Sequence, residues 1–145
     1  MKWVVDMEAY QLGGSWYPKE IALLNADTGE CTCLTIYVDV HYNIINPIYY
    51  PTIGYQFRRH RLRWNEGEYH IATVKAKFQS MVNLEDEVYC KGEEKVQYFK
   101  SWFKNVFEVH APSFKVLKKY PDKYCERQHG FICAKRKCFE LLEYI

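Results

Sequence analysis

Lys2-Trp3-Val4-Val5-Asp6-Met7-Glu8-Ala9-Tyr10 is, after its first residue, an apolar run broken by two acids two positions apart, and it runs on to the turn signal Gly13-Gly14-Ser15. Period two puts Asp6 and Glu8 on one face, and the pattern predicts a strand over 2–10. A second strand is predicted over 17–26, Tyr17 to Ala26, closed by Asp27-Thr28-Gly29-Glu30 as a hairpin turn. Residues 31–40, Cys31 to Val40, are rich in β-branched side chains and predict a third. The domain therefore opens on a three-strand meander.

Downstream the period changes. From His41 to Gly67 regular spacing is lost, with Asn43, Asn46, Pro47, Pro51 and Gly54 scattered among aromatics, and an ordered surface loop is expected. Residues 70–82 carry Ile71, Val74, Phe78 and Met81 at helical spacing. Val88 to Gly92 reads as a short buried strand, Glu93 to Val106 as a helix with acids in its first turn, and Phe107 to His110 as one more strand. Pro112 and Ser113 start a helical turn that Pro121-Asp122 interrupts, and a final helix covers 124–145. Three meander strands, helix, strand, helix, strand, helix is the element order of the ribonuclease H-like fold. The expected architecture is an α/β domain over 1–145 with a five-stranded mixed sheet flanked by helices.

Composition narrows the classes. A chain of 145 residues can bury most of its apolar surface as one domain without staples. The N-terminus has an acid at position six and no extended apolar stretch, so it reads as neither signal peptide nor membrane anchor. In the intracellular setting this implies, six cysteines are expected as thiols or metal ligands rather than disulfides. A net charge of +2 gives no global attraction for nucleic acid, so any such function must rest on a local patch. The densest positive patch is Arg58-Arg59-His60-Arg61-Leu62-Arg63-Trp64. Thirteen tyrosines suit a packed core with hydroxyls at its edge.

The C-terminal segment carries the metal chemistry. Cys125, His129 and Cys133 stand at i, i+4 and i+8, which on a helix puts three zinc ligands along one stripe and leaves a tetrahedral site one ligand short. A core helix built from Cys133, Cys138, Phe131, Phe139, Leu141 and Leu142 accounts for the same residues, since buried free cysteine behaves as a small hydrophobe. In a ribonuclease H-like arrangement the last helix approaches the first two strands, which makes Glu20 a candidate fourth ligand. Its alternative is an exposed glutamate paired with Lys19 or Lys2.

Four pieces of the chain carry a family resemblance: Tyr17-Pro18-Lys19-Glu20-Ile21-Ala22, His41-Tyr42-Asn43-Ile44-Ile45-Asn46-Pro47, Val88-Tyr89-Cys90-Lys91, and the tail from Cys125 to Cys133-Ala134. Together they resemble the Maelstrom domain, an animal branch of the ribonuclease H-like, DnaQ-type exonuclease fold found in germline piRNA silencing factors. The resemblance implies a structural zinc held by Glu20, Cys125, His129 and Cys133, with Cys138 as the alternative last ligand because the family's ligand gaps differ by a few residues. It also implies single-stranded RNA as partner, silencing-pathway proteins as further partners, no membrane, and a cytoplasmic or nuclear location that includes perinuclear germ granules. Some members cut single-stranded RNA, so weak endoribonuclease activity belongs to the same expectation.

Nucleases of the DnaQ type use D-x-E on the first strand plus two further acids to hold two divalent ions. Asp6 and Glu8 match that motif and are the catalytic candidates; Mg²⁺ or Mn²⁺ would be the cofactor of a DEDD-type exonuclease built on them. After the fourth strand no aspartate stands at the usual place, with Glu93 or Glu94 as the alternative acid, and the final helix has cysteine where a hard ligand is needed. RNA binding is assigned instead to Arg58, Arg59, Arg61 and Arg63, with Trp64 and Tyr55 as stacking surfaces. The alternative from a different class is a catalytically silent interaction module that keeps a nuclease fold as its scaffold.

Overall fold

The computed structural model describes residues 1–112 and 133–145. Its strands are β1 (Lys2–Leu12), β2 (Ser15–Asn25), β3 (Cys31–Thr35), β4 (Glu87–Lys91) and β5 (Val106–Val109). The helices are α1 (Tyr50–His60), α2 (Ile71–Met81), α3 (Glu93–Phe99) and α4 (Ala134–Leu141). One five-stranded sheet runs in the order β3-β2-β1-β4-β5, antiparallel from β3 to β1 and parallel from β1 to β5. The α/β class and the mixed sheet agree with the expectation from the element order.

β1 is central and buried on both faces, which is why its sequence is a nearly continuous apolar run. Trp3, Val5 and Met7 pack with Val74 and Phe78 of α2 and Val96 and Phe99 of α3. On the opposite face Val4, Ala22 and Leu24 lie under Ala134, Cys138 and Leu141 of α4. Further along β1, Tyr10 and Leu12 form a third cluster with Val38, Ile53 and Trp64. Asp6 and Glu8 therefore sit in the middle of a covered face, between two apolar clusters.

Register also steps there. Glu8 pairs with Glu20 but Ala9 pairs with Pro18, so Lys19 is the extra residue of a β-bulge. The bulge turns the Lys19 side chain into the core, where its ammonium donates to the carbonyls of Trp64 at 2.9 Å and Glu66 at 2.5 Å.

Three expectations are corrected. The 41–67 segment is not a loop throughout: it holds short 3-10 turns at Tyr42–Ile44 and Pro47–Tyr49 and then α1. The side chains of His41 and Asn46 cap those turns by accepting the backbone N–H of Asn43 and Ile48. Pro51 falls in the first turn of α1, where its missing N–H costs nothing, and Arg61 ends the helix in the left-handed region at φ 60°. The prolines read as breakers are thus helix-start signals. The second correction is that β3 stops at Thr35, after which Ile36 bridges Tyr69 instead of extending the meander. The third is that α3 ends at Phe99, with Trp102 and Phe103 buried beyond it.

Candidate functional site

Asp6 and Glu8 are buried, 0% and 4% exposed, and each meets a lysine. The Lys95 ammonium, from α3 just after β4, lies 2.9 Å from Asp6 Oδ1. Lys137, from α4, places its ammonium 3.2 Å from Asp6 Oδ2 and pairs with Glu8 Oε1. Two carboxylates and two ammonium groups close on one another in the covered face.

The electrostatics follow from burial opposed by pairing. Burial alone would push the Asp6 carboxyl up, but Lys137 and Lys95 together outweigh it and hold it below the ordinary value. Burial would lower the Lys137 ammonium, but Asp6 and Glu8 hold it well above its ordinary value. Asp6 and Lys137 are thereby both held in their charged forms. Cys90, beside it on β4, has its thiol pushed up to about 12, first by burial and then by the Asp6 charge.

Neither lysine was anticipated from the sequence, although Lys137 left a signal. It falls on the inward stripe Ala134, Cys138, Leu141 of α4, where a lysine is tolerated only against buried acids. With Asp6 and Glu8 predicted on one strand face, that inward lysine names their partner.

Of the predicted zinc ligands, Cys125 and His129 lie outside the described residues. Glu20 and Cys133 are inside them, and Glu20 meets the chain at the residue after Cys133. Glu20, 1% exposed, accepts the backbone N–H of Ala134 at 3.1 Å, the residue next to Cys133. Glu20 is therefore not an exposed glutamate paired with Lys19 or Lys2. Cys133 is extended, at φ −149° and ψ 129°, and stands as the N-cap of α4. The helical i, i+4, i+8 stripe thus does not extend through Cys133, since α4 starts only at Ala134. Cys138 is one turn further on; its thiol lies 3.4 Å from the Ala22 carbonyl and 3.7 Å from that of Val4, and burial holds it well above its ordinary pKa. A carboxylate and a thiol at one helix start suit zinc. Among the described residues no group of three His, Cys, Asp or Glu is assembled for a metal.

Arg58, Arg59, Arg61 and Arg63 are exposed, from the last turn of α1 onward. Arg59 donates to the Tyr55 hydroxyl at 3.2 Å, and Tyr55 is 54% exposed. Trp64 is a correction. It is 5% exposed, donates its indole N–H to the Val40 carbonyl at 2.8 Å, and packs between Tyr10 and Tyr17 at 5.1 Å from each. Its ring is core, packed against Tyr10 and Tyr17 rather than exposed as a stacking surface. His41 and His60 are likewise engaged, His60 being 1% exposed with Nδ1 accepting the Leu62 N–H.

Compared with known proteins, the chain matches no family model, no curated protein and no solved structure. Among the described residues no helix is long and apolar enough to cross a membrane.

Proposed function

We propose that the chain is a ribonuclease H-like domain of the Maelstrom type that binds single-stranded RNA and has exchanged a divalent-metal nuclease centre for an internal ion cluster. The observation that carries this reading is the placement of Lys137 and Lys95 on Asp6 and Glu8. In a two-metal site the strand acids, an acid after the fourth strand and an acid on the last helix surround the cations. Here the last two elements supply lysines. A divalent ion entering would have to expel an ammonium to gain its carboxylates, against the attraction that holds each lysine there. The sheet order β3-β2-β1-β4-β5, with α4 packed on β1 and β2, is the arrangement this reading expects.

RNA binding is supported by the four exposed arginines in the last turn of α1 and just beyond it. Through the Maelstrom resemblance, small-RNA silencing is the setting. The zinc proposal stands with it: Glu20, Cys125, His129 and Cys133 would tie the start of α4 to β2, with all four positions filled by protein and none open to water.

The test is single-stranded RNA binding and cleavage on the reduced, zinc-loaded protein, with Mg²⁺ and with Mn²⁺. Expected are salt-sensitive binding that falls when Arg58, Arg59 and Arg61 are replaced together, and no metal-dependent cleavage. Cleavage that requires Mn²⁺ and disappears in Asp6→Ala would overturn the reading in favour of a DEDD-type nuclease. A second reading, a silent protein-interaction module, is favoured by Ile44 and Ile48, which stand 74% and 73% exposed. Absence of RNA binding would select it.

A further inference from the structure

A cavity of about 450 Å³ opens between α1 and the 63–66 segment. Its walls are aromatic. Tyr42 and Tyr50 lie stacked, ring centroids 5.1 Å apart and planes 10° from parallel, while Phe57 and the core ring of Trp64 also line it. Tyr50 is the first residue of α1 and 38% exposed, so part of its surface faces solvent at the mouth.

The rim is basic. Arg63 lines the cavity itself, and the Arg61 guanidinium lies 5.8 Å from the ring centroid of Phe57. Arg58 Nη1 lies 3.6 Å from where a Cβ on Gly54 would stand, and Gly54 is a wall residue. Asn65 adds an amide that can meet a polar ring edge. Glu66 is the acid of the wall, with Arg63 Nε 3.9 Å from it.

Flat aromatic surfaces, one wall arginine with two more beside wall residues, and room for one planar group select the ligand chemistry. An apolar side chain would use the rings and waste the arginines; a bare anion would do the reverse. A nucleotide uses both, its base against the rings and its phosphates against the guanidinium groups. We propose that this cavity holds one unpaired base of a single-stranded RNA against Tyr42 and Tyr50, with Arg58, Arg61 and Arg63 on the adjoining phosphates. The proposal rests on the RNA-binding reading above and adds the base subsite, which replaces the stacking role expected of Trp64.

The experiment is fluorescence anisotropy with a labelled oligouridine octamer and with an octamer of the same backbone lacking its bases. Tyr50→Ala is expected to weaken binding of the full octamer about tenfold, Tyr50→Trp to restore it, and both to leave the abasic octamer unchanged. Arg63→Ala should weaken both octamers and reduce the salt slope by about one. Wild-type binding that Tyr50→Ala does not alter would overturn the base subsite while leaving RNA binding in place. A wild type that binds neither octamer would overturn the RNA reading itself. Uridine monophosphate bound as tightly as the octamer would overturn the assignment to an RNA strand in favour of a free nucleotide.

Discussion

Lys137 decides what the two acids of β1 can do. It is 7% exposed and shared between Asp6 and Glu8, so its removal would leave Asp6 with Lys95 and Glu8 with no ammonium among the described residues. Lys137→Ala is expected to cost about 3–5 kcal/mol in urea unfolding, the usual penalty for breaking a buried ion pair from one side. Replacing all four groups with apolar or neutral isosteres, Asp6→Asn, Glu8→Gln, Lys95→Met and Lys137→Met, should cost much less than the single change, because no charge of the cluster is left without its partner. Equal losses in the two would mean that the lysine acts through packing. At this scale the sequence was half legible. Asp6 and Glu8 could be placed on one face from period two, but the same D-x-E reads as a metal motif or a solvated pair until the opposite element is known. Trp64 misled for a related reason: an aromatic within a basic run looks exposed, whereas its ring fills the space between Tyr10 and Tyr17.

Elements meet at defined contacts, and two of these are testable by single substitutions. The Glu20 carboxylate accepts the first N–H of α4, a favourable placement of negative charge at a helix start. Glu20→Ala should cost about 1–2 kcal/mol. Glu20→Gln retains an oxygen for Ala134 and should cost a fraction of that, yet it should lose zinc if Glu20 is a ligand. Metal content measured beside unfolding therefore separates cap from ligand. Gly67 is the second contact: a Cβ there would run into the backbone of Ile36 and Tyr37, where the chain bridges Ile36 to Tyr69. Gly67→Ala is expected to lower stability by about 1–3 kcal/mol and to speed amide exchange at Tyr37, whose N–H donates to Tyr69. Helix α1 was missed because Pro51 and Gly54 suggest a loop. The two preceding capped turns, which deliver Pro51 to a position where its ring is harmless, are not visible in residue spacing alone.

For the whole molecule, the buried cluster sets a pH window. Asp6 titrates below its ordinary 3.8 in the folded chain, so its contribution is complete above that value and is lost as pH falls through the folded one. Lys137 titrates above its ordinary 10.5, so its contribution is complete below that value and is lost as pH rises through the folded one. The cluster's contribution to the urea midpoint should be flat between roughly pH 5 and pH 9 and decline below about pH 4. In the neutralised quadruple variant the acid decline should be shallower; an unchanged decline would assign acid lability to other carboxylates. The sequence by itself determined the α/β class, the meander, the positions of β4, β5 and α2, and the pairing of Asp6 with Glu8 on one face. It did so because hydrophobic period and turn chemistry are local, and each strand or helix must bury its own apolar stripe. Only the tertiary structure decided that Lys95 and Lys137 close on those acids, that Glu20 sits at the start of α4 beside Cys133, and that Trp64 is core. These are meetings between residues 24 to 131 positions apart. Such contacts are created by the order in which strands join the sheet and by which face each helix covers, and no local pattern encodes either.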